Sequence, residues 1–290
     1  VVIRTRAASV NPIDWKIRKG SFRMLMPAKF PLILGYDVAG EVDSVGPEVT
    51  RFQPGDPVFG GVDVVKQGGS YAELVLAREA ALAPMPGALS FEEAASLPTS
   101  GQTCLQALRD KGELVSGERV LVNGASGGVG HLAVQIAFAL GAKVTGVTSG
   151  RNLDFVRGLG AHEVIDYEEE DFVSRDETWD VIFDVVANSN YRECEPVLSE
   201  KGGIYVTTGF YPRLPIEMAM TALGGLFGQS QRARNIVVKH RAEDLVFLER
   251  LANQGRLRPE VQEVFPLDRI AQAHDLSETG RVRGKIAVRI

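Results

Sequence analysis

Cysteine is nearly absent from this chain: two of 290 residues, Cys104 and Cys194, far apart in sequence. That excludes a disulfide framework and points to a reducing compartment, so a cytoplasmic setting is expected. Histidine is sparse as well, at four residues (His131, His162, His240 and His274). No apolar run is long enough to span a membrane. The nearest, Met218 to Phe227, is short and interrupted by Gly224 and Gly225. There is no basic excess either. A net charge of −5 lacks the positive footprint that duplex binding leaves, so nucleic acid is not expected as a partner. The chain opens not on methionine but on a strand-like run from Val1 to Ala7. A natural start further upstream is expected, and targeting is not legible.

Against these absences stands a hydrophobic content of 44%, over a length that suggests roughly two domains. From Val1 to Pro98, short β patterns are punctuated by glycine and proline. They include Asp37 to Val45, the turn Gln53-Pro-Gly-Asp-Pro57 before Val58-Phe59, and Tyr71 to Leu76. From Thr99 to His240, strands alternate with helices, as βαβ units of a parallel sheet do. The strands are expected at Val120–Val122, Val144–Val147, Val164–Ile165, Val181–Val185 and Ile204–Thr207, with a sixth at Ile236–Val238. A helix from Asp244 to Asn253 follows, then a strand (Val261–Phe265), a helix (Leu267 to Ser277) and a last strand (Lys285–Arg289). This organisation assigns residues 1–98 and 255–290 to an irregular β domain and 99–254 to a doubly wound α/β domain. No internal repeat or low-complexity segment is present.

The most specific motif is Arg119-Val-Leu-Val-Asn-Gly-Ala-Ser-Gly-Gly-Val-Gly130. Val120 to Val122 read as a strand covered on both faces. Gly124, Gly127 and Gly130 recur every third residue, and Gly128 adds a further position without a side chain. Leu132, Ala133, Ile136, Ala137 and Leu140 then follow at helical spacing until Gly141. Such a turn lets backbone approach a pyrophosphate, and the next helix presents its N-terminal N–H groups to the anion. Residues Gly124 to Gly130, with Ser126 and Val129 among them, are therefore expected to hold a dinucleotide.

Which dinucleotide follows from the tip of the second strand. An NAD site places an acid roughly 20 residues beyond the glycines, to bind the ribose 2′-hydroxyl. Here the tip reads Val147-Thr-Ser-Gly-Arg-Asn152, without one. Ser149 and Arg151 suit a 2′-phosphate instead, Arg151 through charge-assisted contacts. NADP(H) is expected over NAD(H), although Arg151 as a solvated loop cation remains open.

Several motifs together resemble the medium-chain dehydrogenase/reductase superfamily, in its zinc-free branch of quinone oxidoreductases and 2-alkenal reductases. They are Ala8-Ser-Val-Asn-Pro-Ile-Asp14 with Lys16-Ile-Arg-Lys-Gly20, Pro31 to Gly40, Phe52 to Val58 and Gly69-Ser-Tyr-Ala-Glu73. Ala94-Ala-Ser-Leu-Pro98, the glycine turn, Leu159-Gly-Ala161, Ile165-Asp-Tyr167 and Gly284-Lys-Ile-Ala-Val288 complete the set. The resemblance implies a GroES-like β domain, here lacking some opening residues, beside a Rossmann domain, with the active site in the cleft between them. It also implies cofactor contacts from Thr103, Tyr167, Gly209, Phe210 and Lys285, and a homodimer.

Zinc-dependent relatives hold a catalytic metal through a Cys near the position of Asn11, a His at the position of Tyr36 and a third ligand further on, and carry a four-cysteine lobe for a structural zinc. This chain has neither pair nor lobe, and Asn and Tyr are poor zinc ligands. No metal is expected. Without a Lewis acid nothing stabilises an alkoxide, so reduction of an activated acceptor is favoured over alcohol oxidation. A quinone, enal or enone takes hydride at carbon and spreads the charge through its own conjugation; the protein orients, excludes water and holds the oxygen. Asn11 is the candidate for holding the nicotinamide ribose or the substrate oxygen, unless it only sets the turn before Pro12. Tyr36 is the candidate donor to that oxygen, with water an equal alternative and simple packing the bland one. Trp15 is a candidate pocket wall or a core residue. Two other functions stay open: an NADPH-binding regulatory or transport-associated protein with little turnover, and an enoyl-thioester reductase module.

Overall fold

The computed structural model describes residues 1–21, 31–224 and 230–290. The end of the Met218–Phe227 apolar stretch, from residue 225 on, lies outside the described residues. The chain forms two units, Val1–Gln102 with Lys239–Ile290, and Thr103–Val238.

In β1 (Val2–Val10), Ile3, Thr5 and Ala7 are buried while Arg4 and Arg6 face solvent, the period of a half-covered strand. On the wet face Arg4 pairs with Asp43 and Arg6 with Glu41 across to the neighbouring strand. Pro12 then starts α1 (Pro12–Arg18), where its missing N–H and fixed φ suit the first helical position. Antiparallel strands β2 (Asp37–Ser44) and β3 (Pro57–Gly61) come next, then the short helix α2 (Val64–Gln67). Of the expected strand from Tyr71 to Leu76, only β4 (Leu74–Leu76) forms, before β5 (Leu82–Pro84). Helix α3 (Phe91–Ala95) opens on a reciprocal cap between Ser90 and Glu93, and α4 (Pro98–Leu105) follows.

The second unit begins inside α4 and holds six parallel strands among its described residues. They are β6 (Arg119–Asn123), β7 (Lys143–Thr148), β8 (Glu163–Asp166), β9 (Val181–Asp184), β10 (Ile204–Thr207) and β11 (Arg232–Asn235). Crossovers run through α5 (Gly130–Ala139), α6 (Leu153–Gly158), α7 (Tyr191–Cys194) and α8 (Leu214–Gly224). The sheet order β11-β10-β9-β6-β7-β8 reverses direction between β9 and β6, the topological switch point where such sheets bind ligands. The last strand corrects an expectation. It lies at Arg232–Asn235 rather than Ile236–Val238, because an edge strand paired only with β10 needs few apolar residues; Ala233 alone is buried in it. The apolar run that suggested a strand there contributes only Ile236, whose N–H extends the ladder to Thr207.

The chain returns to the first unit earlier than expected, at residue 239 rather than 255. The reason is packing. Helix α9 (Ala242–Asn253) buries Leu245, Leu248 and Leu251 on the side of β5 and α4, with Leu248 Cδ1 only 2.8 Å from where a Cβ at Gly101 would stand. Strand β12 (Val261–Pro266), helix α10 (Ile270–Glu278) and strand β13 (Lys285–Arg289) then complete a sheet ordered β12-β13-β1-β2-β3-β5, with β4 also on β1.

Trp179 anchors the core of the second unit. It is fully buried, stands edge-on to Phe172 at 6.4 Å and donates its indole N–H to Thr145 Oγ1 at 3.1 Å. Trp179→Ala should destabilise the chain by about 3–5 kcal/mol in urea unfolding, through the cavity it leaves.

Candidate functional site

The glycine turn is sterically specified. Gly124 has φ +86° and, with Ala125, donates its N–H to Val147 O at 3.1 and 2.9 Å, tying the turn to β7. A Cβ at Gly130 would stand 2.0 Å from Gly124 O, so the turn closes only on a glycine. Helix α5 follows its N-cap Val129 with no side-chain cap, and of its first amides His131 N–H is taken by Gly127 O at 3.0 Å. Ser126 Oγ accepts from Thr148 Oγ1 at 2.8 Å and from Asn152 Nδ2 at 3.2 Å. Two donors fill its lone pairs and aim its own proton elsewhere. A hydroxyl held as a donor, uncapped helical amides and a turn without side chains together fit a dinucleotide phosphate.

At the tip of β7, Ser149 is buried and bonded by Asn152 Nδ2, whereas Arg151 is exposed on a short 3₁₀ turn. An acid does stand at this tip, which the sequence did not reveal: Asp166 Oδ2, from the end of β8, lies 2.5 Å from the Cβ position of Gly150. Tyr167 follows it, 52% exposed, with its N–H on Thr148 O. The structure thus places Ser126, Ser149, Arg151 and Tyr167 just beyond the C-terminal ends of the adjacent strands β6, β7 and β8.

Beyond β9, Asp184 is wholly buried and accepts from Asn123 Nδ2, Tyr205 Oη and the amides of Ala187 and Ser189. Burial pushes its carboxyl above the usual range while these donors pull it back. The loop it ties down carries Ala187 at φ +60° and lays Val186 Cγ2 2.5 Å from the Cβ position of Gly124. Gly209, after β10, has no room for a side chain, since its Cβ would stand 2.1 Å from Ala187 Cβ. Its neighbour Phe210 is 73% exposed, and Thr103 is nearly buried in α4.

In the first unit, Lys285 and Asn11 meet, although 274 positions separate them. Lys285 Nζ donates to Asn11 Oδ1 at 2.6 Å and to Val10 O at 3.3 Å. Asn11 Nδ2 donates onward to Asp37 Oδ2 at 2.8 Å, which also takes Ser9 Oγ at 2.9 Å. Asp37 Oδ1 takes the amide and hydroxyl of Thr99 at 2.8 and 2.6 Å. Lys285, Asn11, Asp37 and Ser9 are all buried, so this is a buried network held by hydrogen bonds. Asp37 has no sequence signal beyond the start of a strand, and was missed for that reason.

Tyr36 sits half-buried between Gly35 and β2. Burial pushes its phenol up to about 12, and Asp14 and Asp63 push the same way. It stays protonated at neutral pH and gives up its proton reluctantly. Trp15 is tied to α10. Its indole N–H donates to Ser277 Oγ at 3.1 Å on α10, and Lys16 and Lys19 lie over its ring.

Asp14, also missed, is wholly buried beside this network. Burial raises its carboxyl to about 7, the Asn11 amide pulls it down, and Asp37 raises it further. Its stacked signal was readable: Asn11 with an acid three residues on is a helix-start pattern.

Two outcomes follow from these burials. Asp37→Ala strands the donors of Asn11, Ser9 and Thr99 beside a buried ammonium, and should lower urea-unfolding stability by about 3–5 kcal/mol, as breaking a buried pair does. For Asp14, a raised folded pKa means that the folded chain holds the extra proton between the ordinary carboxylate range and about 7. Its contribution to stability is therefore present at low pH and lost as pH rises through that window. The difference in melting temperature, Asp14→Asn minus wild type, should drift upward between about pH 4 and about pH 8; a flat difference contradicts the raised value.

Comparison with known proteins gives the family. A model described as an alcohol dehydrogenase GroES-like domain matches residues 1–87, and one described as a zinc-binding dehydrogenase matches residues 159–288. A chloroplast envelope quinone oxidoreductase homolog of Arabidopsis thaliana is 35% identical over 99% of this chain and 89% of its own. The 2-methylene-furan-3-one reductase of Solanum lycopersicum is 35% identical over 99% of this chain and 71% of its own. Among solved structures, the quinone oxidoreductase of Coxiella burnetii superposes with a TM-score of 0.85 at 34% identity, over 100% of this chain and 90% of that one. With identity of this level along nearly its whole length, the chain belongs to the medium-chain dehydrogenase/reductase family and is an oxidoreductase that works with a nicotinamide nucleotide.

Proposed function

We propose that this chain uses NADPH to reduce a quinone or an α,β-unsaturated carbonyl, with no metal at the reacting centre. The observation that carries this reading is the 2.6 Å contact between Lys285 Nζ and Asn11 Oδ1. That oxygen is the only acceptor on the Asn11 side chain, and an ammonium pressed against it repels a second cation. A zinc ion at the position used by metal-dependent relatives would have to displace Lys285 from a buried, hydrogen-bonded network. The names of the relatives, a quinone oxidoreductase homolog and a furanone reductase, point to the same class of conjugated acceptor.

When bound, the reduced nicotinamide supplies the hydride. The second unit holds the nucleotide: the glycine turn and Ser126 receive the pyrophosphate, and Ser149 and Arg151 receive the 2′-phosphate. The first unit serves the acceptor. Asn11 and Lys285 form a fixed polar wall, and Tyr36 donates a hydrogen bond to the acceptor oxygen. With its phenol held at about 12, Tyr36 stabilises that oxygen as a donor while water delivers the proton.

Arg151 and Asp166 act in opposite senses on nucleotide choice. A guanidinium attracts a 2′-phosphate and a carboxylate repels it. Arg151→Glu should weaken NADPH binding at least about tenfold more than NADH binding, roughly 1.4 kcal/mol, and Asp166→Asn should shift the ratio the other way. Titration of both nucleotides by tryptophan or nicotinamide fluorescence checks this; equal losses for the two nucleotides sink the NADPH assignment. Prolonged chelation should leave turnover of small quinones and enals intact, and activity restored only by added zinc would overturn the metal-free reading.

A further inference from the structure

Gln102, in α4, is buried, and its side-chain amide is hydrogen-bonded at both ends. Its Oε1 accepts the Arg241 amide at the start of α9, at 2.7 Å, and its Nε2 donates to Pro98 O at 3.0 Å. A backbone N–H only donates and a carbonyl only accepts, so these two partners fix which end of the side chain is oxygen. The same Nε2 lies 3.2 Å from His240 Nδ1. With a donor fixed opposite it, Nδ1 must be the lone-pair nitrogen, and the ring proton sits on Nε2. His240 is therefore neutral and held in one tautomer.

The ring occupies a place that the strands leave for it. A Cβ at Gly61 would stand 2.4 Å from His240 Nδ1, so only a glycine at this point of β3 admits the imidazole. Gly61 is the ladder partner of Asp37, and paired residues face the same side of a sheet. His240 therefore lies on the face of Asp37. Thr99, three residues before Gln102 in α4, bonds Asp37 Oδ1 through its amide and hydroxyl. Residues at this spacing share one side of a helix. Two polar contacts thus seat the start of α4: Thr99 on Asp37, and Gln102 on His240.

We propose that His240 is a positioning residue: in its neutral form it accepts from Gln102, keeps α4 seated, and so keeps Thr99 on Asp37, the acid that orients Asn11 and Lys285. This role rests on the reading that Asn11 and Lys285 serve the acceptor, and it adds an acid limit to that reading. A proton gained by His240 lands on Nδ1, the one ring nitrogen without a hydrogen, and sets N–H against N–H. Gln102 cannot turn to accept it without losing both Pro98 O and the Arg241 amide. The ring must leave Gln102, and Thr99 alone of the two contacts remains. Only an N–H bond forms in this step, and no electron moves.

The charges facing the ring come from several elements. Asp37 on β2 and Asp63 just after β3 favour the protonated form, whereas burial favours the neutral one and prevails. Lys239 and Arg241 flank it in the chain. The contact therefore holds at neutral and alkaline pH and is lost as pH falls below the ordinary imidazole range.

Nitrogen-15 NMR of the histidine rings in the full chain reads the tautomer directly, with the His240 signal identified by its loss in His240→Gln. Wild type should show the Nε2–H form and a midpoint below about 6.5, the unperturbed value. Gln102→Glu puts an acceptor where the donor was, and should carry the midpoint above that value. With an acceptor that turns over, kcat/KM should fall on the acid side at the His240 midpoint, and Gln102→Glu should move that limb upward by the same amount. A purely structural contact would leave the limb in place. An Nδ1–H ring in wild type, a midpoint that Gln102→Glu does not raise, or an acid limb that does not follow it overturns the proposal. Should Gln102→Glu fail to fold, Gln102→Leu decides: without the donor both tautomers should coexist, and a ring still held as Nε2–H alone refutes the lock. If no acceptor is reduced, the proposed function fails, while the NMR result still decides whether Gln102 holds His240.

Discussion

A carboxylate sealed from water, Asp37, is the constraint on which the first unit depends. Such a group is tolerable only with its lone pairs filled and a counter-charge near. It finds Ser9 and Asn11 from the end of β1, Thr99 from the start of α4 and, through Asn11, the ammonium of Lys285 on β13. Satisfying one buried charge thus fixes the relative places of three separated chain segments. The candidate residues Asn11 and Lys285 are rigid as a consequence, and a rigid polar wall needs no reorganisation when charge develops on a substrate.

The second unit is governed by steric exclusion instead. Gly130 against Gly124 O, Gly124 against Val186 and Gly209 against Ala187 are three places where a single carbon would collide. They cluster around the ends of β6, β9 and β10, at and beside the switch point. Backbone crowded this closely leaves no room for side chains at these positions, which is what close approach of a phosphate to a turn requires. The Asp184 network behind them plays the part that Asp37 plays in the first unit: a buried acid that orders a loop by taking its amides.

Much of this was legible in the residues. The parallel strands, the glycine turn and the helix behind it follow from apolar runs and glycine spacing, since both are local. The edge strand β11 was misplaced by a few residues because burial, the signal being read, is weakest at an edge. Helix α9 was given to the wrong side because its amphipathic face states that it packs, not on what. Asp166 escaped because it reaches the β7 tip from another strand, and Asp37 because a single acid at a strand start has no pattern.

By itself the sequence determined the architecture of each unit, the place of the glycine turn and the lack of zinc-ligand residue types at Asn11 and Tyr36, all properties written in neighbouring residues. Only the tertiary structure decided that Lys285 meets Asn11, that Asp14 spans from Asn11 to Gly35, and that Tyr36 is held as a reluctant acid. Those are contacts between residues tens to hundreds of positions apart, and their strength comes from exclusion of water, which exists only once the chain has folded around them.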